Sequence, residues 1–149
     1  MAKQVKVLLI EDNPGDARLV IEALAEAASP TFKVSHVSRF VDGLQLLDKQ
    51  HFDVVLLDLM LEDTPRMGTL MHIYARASKV PIVVLTGLED EAVGLWVLQE
   101  GAQDYLVKGK IDSDVLRLAI LDAMERHRTL EPEAIPSSRR AVQSTARLG

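Results

Sequence analysis

A chain of 149 residues, 48% hydrophobic and 26% charged, is long enough to bury one core and has the balance of an ordinary globular domain. Its formal net charge of -5 argues against a nucleic-acid surface built on bulk positive potential, and no run of basic residues suggests a local one. The absence of cysteine excludes disulfides and thiolate metal sites. No apolar stretch reaches membrane-spanning length, and Met1 to Gln4 lead into a strand instead of a signal peptide, so a cytoplasmic protein is expected.

The first apolar run, residues 5–10, reads as a strand that stops at Glu11 and Asp12. Asn13 can cap the helix that follows, and Pro14 suits its first position. Ala17, Val20, Ile21, Leu24 and Ala28 recur at helical spacing, with Arg18, Glu22 and Glu26 on the wet side, until Ser29 and Pro30 end the element. Residues 32–37 predict a short strand with Phe32, Val34 and His36 on one face; it is the least apolar of the strands, as an edge strand should be. Phe40, Val41, Leu44 and Leu47 give a second helical stripe that ends at Lys49. The run from Asp53 to Leu57 then reads as a central strand buried on both faces, with Asp58 at its carboxyl end.

A loop over residues 59–66 and a helix over residues 67–77, weakened by Gly68, are expected next. Residues 80–85 predict a fourth strand that stops at Thr86, and the following helix reaches Gln99, where Gly101 suits the left-handed closing position. Residues 103–107 predict a fifth strand that stops at Lys108. Asp112 or Ser113 can cap a last helix whose apolar face holds Leu116, Ala119, Ile120, Ala123 and Met124. From about Thr129 the periodicity dissolves into prolines, serines and arginines, so one domain over 1–128 and a poorly ordered extension over 129–149 are expected. Five strands alternating with five helices predict an α/β fold, a parallel sheet covered on both faces with right-handed crossovers.

In such a sheet the carboxyl ends of the strands line the ligand crevice. Glu11, Asp12, Asp58, Thr86 and Lys108 all fall there. Taken singly, each suits a helix cap or a turn; five at one edge point to a site. Two unit charges about 5 Å apart repel by roughly 3 kcal/mol at an effective dielectric of about 20, so three ionised carboxylates need compensation. A divalent cation supplies it, and oxygen ligands beside a phosphate suit Mg²⁺. Lys108 and Thr86 favour a phosphoryl group at the same edge, and a carboxylate can itself accept phosphorus.

The segments 8–14, 54–58, 81–87 and 101–109 resemble the receiver domain of bacterial two-component response regulators, over residues 5–128. The resemblance implies a flavodoxin-like, doubly wound, five-stranded parallel sheet in the order 2-1-3-4-5. Asp58 would then be the phosphoacceptor, Asp12 a direct Mg²⁺ ligand, Glu11 an acid that orients metal-bound water, and the backbone carbonyl of Met60 a further ligand. Thr86 would hydrogen-bond the phosphoryl group and Lys108 would pair with it, while Tyr105 turns inward when Thr86 moves. Gly109 stands where many relatives have proline, so no cis proline is expected after Lys108. Glu62 and Arg66 replace a proline and a glycine common in the loop after the acceptor. Met60 and Leu88, both apolar, would slow hydrolysis of the phosphoryl group.

Trp96, the sole tryptophan, lies in the uncharged run 92–98, and it is assigned to the face that relatives use for partners or dimerisation, with packing on its own neighbours as the plain alternative. His36, His51, His72 and His127 show no metal-ligand spacing and are read as surface or packing residues. Arg126, His127 and Arg128 suit the negative end of the last helix. The leading expectation is a stand-alone phosphorylation switch, charged by a sensor histidine kinase or phosphotransfer protein and acting on a downstream protein, with a homodimer as a further partner and neither nucleic acid nor membrane. A small metal-dependent hydrolase on the same fold is the alternative, weakened because Met60 stands where a second aspartate would be and because GxxxxGK[ST] and GxGxxG are absent. A receiver-shaped module that is never phosphorylated is the third reading.

Overall fold

The computed structural model describes residues 4–27, 29–58, 80–87, 98–99 and 101–130. Within them, β1 (Gln4–Ile10), β2 (Thr31–Val37), β3 (Val54–Asp58), β4 (Ile82–Thr86) and β5 (Asp104–Val107) form one parallel sheet in the order β2-β1-β3-β4-β5. Three α-helices are described with both ends, α1 (Pro14–Ala25), α2 (Phe40–Lys49) and α3 (Ser113–Leu130), and a short 3-10 turn spans Lys108–Lys110. The loop over 59–66, the helix over 67–77, most of the helix that reaches Gln99, and Met60, Leu88 and Trp96 lie outside the described residues, as do residues 131–149.

Strand alternation sorts the core into two layers. Val7, Leu9, Val54, Leu56, Val83 and Leu85 meet Ala17, Val20 and Leu24 of α1 and Leu116, Ile120 and Ala123 of α3. Leu8, Ile10, Val55, Leu57, Ile82 and Val84 instead meet Phe40 of α2, with Phe52 and Ala102, and Leu44, Leu47 and Tyr105 pack at its margin. Every residue of β3 and β4 is buried, as strands covered on both faces must be. No helix among the described residues is long and apolar enough to cross a membrane.

Local signals set the helix ends. Asn13 caps α1 by accepting the Asp16 backbone N–H at 2.9 Å, with Pro14 in the first turn. Asp112 caps α3 by accepting the Val115 backbone N–H at 2.8 Å. Gly101 adopts a φ of 112°, and its N–H donates to the Leu98 carbonyl, closing the preceding helix as expected. Two apolar residues depart from the expected stripes: Ile21 and Val41 are 37% and 38% exposed. Each sits on the flank of a helix whose buried stripe, centred on Val20 or on Phe40 and Gly43, is too narrow to include it. Helix α1 also stops at Ala25, before the Ser29–Pro30 pair expected to end it, and α3 runs to Leu130. The cis bond among the described residues is Ser29–Pro30, and Lys108–Gly109 is trans.

Gly43 explains why glycine is accepted in mid-helix despite its poor propensity. A Cβ there would stand 2.5 Å from Ile10 Cδ1 and 3.0 Å from Ile10 Cγ1, and Ile10 is fully buried with nowhere to retreat. Gly43→Ala is expected to lower stability by about 1–2 kcal/mol, the overpacking outweighing the better helix propensity. Urea denaturation of the two proteins checks this.

Candidate functional site

Register brings the site together. Ile10 pairs with Leu57, so Glu11 and Asp58 each follow by one step on adjacent strands. Asp58 pairs with Leu85, which places Thr86 one step beyond, and Thr86 pairs with Val107, which places Lys108 one step beyond that. The fourth strand therefore extends to Thr86 itself, one residue further than the apolar run suggests. All these residues lie at the carboxyl edge.

One carboxylate oxygen from each of Glu11, Asp12 and Asp58 lies within 4.8 Å of the others. Glu11, Asp58 and Thr86 are buried, and Asp12 is half-buried. The Lys108 ammonium reaches into the group, 2.8 Å from Glu11 Oε1, 3.0 Å from Asp16 Oδ2 and 3.3 Å from Asp58 Oδ2. Strand alternation puts Glu11, Asp58 and Lys108 on the α1–α3 side of the sheet, and Asp16 joins them from the first turn of α1. Thr86 follows Val84 by two residues and Tyr105 pairs with Val84, so Thr86 and Tyr105 share the α2 side.

Glu11 is held by main-chain and side-chain contacts together. Its N–H donates to the Val37 carbonyl at 3.0 Å, and its carbonyl lies 2.8 Å from His36 Nε2, which must carry the proton because a carbonyl only accepts. The Asn13 N–H donates to Glu11 Oε2 at 3.2 Å. Sequence reasoning assigned His36 to surface or packing and gave Asp16 no role. Asp16 was placeable in the first turn once Asn13 was read as the cap, but its partner lies 92 residues away and needed the register.

Burial pushes the Glu11 carboxyl up to about 7, and the hydrogen bond and charge of Asp58 add to this, against the smaller pull of Lys108 and the Asn13 N–H. Burial works against the charge on Lys108, but hydrogen bonds to Glu11 and Asp16 and the charge of Asp58 outweigh it and raise the ammonium above its ordinary value. A single cation therefore leaves the acids under-compensated. Three converging carboxylate oxygens suit a hard divalent cation, which prefers oxygen donors.

The chain belongs to the response regulator receiver domain family, whose model matches residues 7–121. It is 31% identical over 125 residues to the transcriptional regulatory protein HprR of Escherichia coli, a match that covers 83% of this chain and 53% of that protein. The chain spans from about a quarter to about half the length of the curated relatives it matches. Among solved structures it resembles a response regulator receiver domain protein from Clostridium thermocellum, with a TM-score of 0.73 and 25% identity over 85% of this chain and 98% of that one. A second is the receiver domain of a sensor histidine kinase from Pseudomonas aeruginosa, described with a magnesium ion coordinated in its active-site cleft, with a TM-score of 0.68 and 24% identity over 82% of this chain and 98% of that one. The sheet order 2-1-3-4-5 expected from the sequence is the order observed.

The raised Glu11 value fixes a pH dependence. The folded state holds this proton more tightly than the unfolded chain, whose value is 4.5, so the stabilisation is complete below 4.5 and is lost as pH rises through about 7. The loss amounts to about 3 kcal/mol. In chelator, the protein is expected to lose stability from about pH 5 to about pH 8, and Glu11→Gln to flatten that slope and raise the melting temperature at about pH 8. Thermal denaturation at both pH values measures it.

Proposed function

We infer that the chain is a phosphoacceptor switch in which Asp58 takes a phosphoryl group from a phosphohistidine on a sensor histidine kinase or phosphotransfer protein. The observation that carries this is the clustering of Glu11, Asp12 and Asp58 at the ligand-binding edge of the sheet, with the Lys108 ammonium against Glu11 and Asp58. A carboxylate oxygen of Asp58 forms the new bond to phosphorus as the phosphorus–nitrogen bond of the donor breaks, the electron pair leaving with the imidazole. Mg²⁺, when bound, supplies charge neutralisation for the acids and the incoming phosphoryl oxygens. In this reading Asp12, Asp58 and the backbone carbonyl of Met60 would hold the ion, and Glu11 would orient its water. The magnesium described in the Pseudomonas receiver supports that choice of cation.

Lys108 pairs with the phosphoryl group and Thr86 hydrogen-bonds it. Thr86 and Tyr105 share one face of neighbouring strands, so a movement of Thr86 toward phosphorus changes the space that the Tyr105 ring can fill. This couples the local charge to a protein-binding surface, to which Trp96 is assigned, and the partner is a downstream protein or a second copy of the chain. The net charge of -5 favours a protein partner over nucleic acid, and the place of action is the cytoplasm. The receiver unit comprises residues 1–128, and residues 129–149 form a C-terminal extension outside it. The chain turns over only its own phosphoryl group and is in that sense no enzyme.

Incubation with acetyl phosphate and Mg²⁺, followed by intact mass, is expected to show one phosphoryl adduct per chain, absent in Asp58→Asn and in chelator. Multiple turnover without an adduct would support the hydrolase reading, and inertness the unphosphorylated module. Asp12→Asn is expected to weaken Mg²⁺ binding by at least about tenfold, read by titration calorimetry. Trp96→Ala is expected to weaken partner affinity or self-association while leaving the adduct intact.

A further inference from the structure

Lys108 has three N–H donors, and three carboxylates stand within reach of them. Two of these have duties in the site. Asp58 is the acceptor, and once it carries phosphorus its contact with the ammonium passes to the phosphoryl oxygens. Glu11 is fully buried and tied to the Asn13 N–H. Asp16 differs from both: its side chain is 36% exposed, it belongs to the first turn of α1, and its capping bond to Asn13 uses the backbone N–H and not the carboxylate. Its carboxylate is therefore the one that water can take over at low cost. A cavity of about 120 Å³ lined by Glu11, Asp16, Leu19, Val20, Lys108 and Ile111 gives it room to turn off the ammonium without displacing the helix.

We propose that Asp16 is a releasable counter-ion: it occupies a donor of Lys108 in the resting protein and yields that donor to the phosphoryl group, so it sets how readily Asp58 is charged. The proposal rests on the functional reading above and adds the regulation of that site. Asp16 is a positioning residue, acting through Lys108 without touching phosphorus. Its contact favours the uncharged state because it is made there and surrendered afterwards.

The test measures adduct formation against acetyl phosphate concentration at fixed Mg²⁺ for the wild type, Asp16→Asn, Asp16→Glu and Glu22→Gln. Asp16→Asn keeps the backbone N–H that Asn13 caps, and Glu22→Gln removes the same charge from an exposed residue of the same helix that pairs with Arg18. The expected result is a half-saturating concentration about three- to tenfold lower in Asp16→Asn at an unchanged maximal rate, with Asp16→Glu returned toward the wild type and Glu22→Gln unmoved. A merely structural role would lower the melting temperature without moving that concentration. An unmoved or raised value in Asp16→Asn, or an equal fall in Glu22→Gln, overturns the proposal while leaving Asp58 as the acceptor. A wild-type protein that gains no mass overturns the functional reading and this one with it.

Discussion

The structure is organised around a charge imbalance. Glu11, Asp16 and Asp58 gather about a single ammonium with Asp12 beside them, and Glu11 and Asp58 are buried. Burying carboxylates with too few cations is costly, and the raised Glu11 value is the visible sign of that cost. Such an arrangement persists because a rigid sheet fixes the strand ends on which the acids sit. It also leaves the site able to draw in positive charge.

The parallel sheet does more than hold the acids in place. Because side chains alternate, the strand ends divide the site between two layers. Glu11, Asp58 and Lys108 belong with α1 and α3, whereas Thr86 and Tyr105 belong with the layer that α2 covers. A hydroxyl and an aromatic ring thus lie on the opposite side of the sheet from the acids and the ammonium. The match over residues 7–121 places this chain among the receiver domains.

Much of this was legible in the sequence because its signals are local. The apolar runs with polar ends gave the strands, Asn13 and Pro14 marked the start of α1, and Gly101 closed a helix with a positive φ. Once the order of strands was inferred, the acids at their ends had to converge. The parts that escaped depend on tertiary distance. Nothing near Asp16 announces a lysine 92 positions on, and nothing near His36 announces a carbonyl 25 positions back. Ile21 and Val41 have the spacing of core residues, but how wide a stripe a helix buries depends on how it lies on the sheet, which periodicity does not encode.

The grip on Glu11 comes from β2, the outermost strand on its side of the sheet. Val37 accepts the Glu11 N–H and His36 holds its carbonyl, and β2 is itself paired on one side only, with β1. Edge strands open locally at a fraction of the free energy of global unfolding. Glu11 therefore depends on an edge strand, and transient fraying at that rim of the sheet would loosen the backbone at the carboxyl end of β1 before the core gives way.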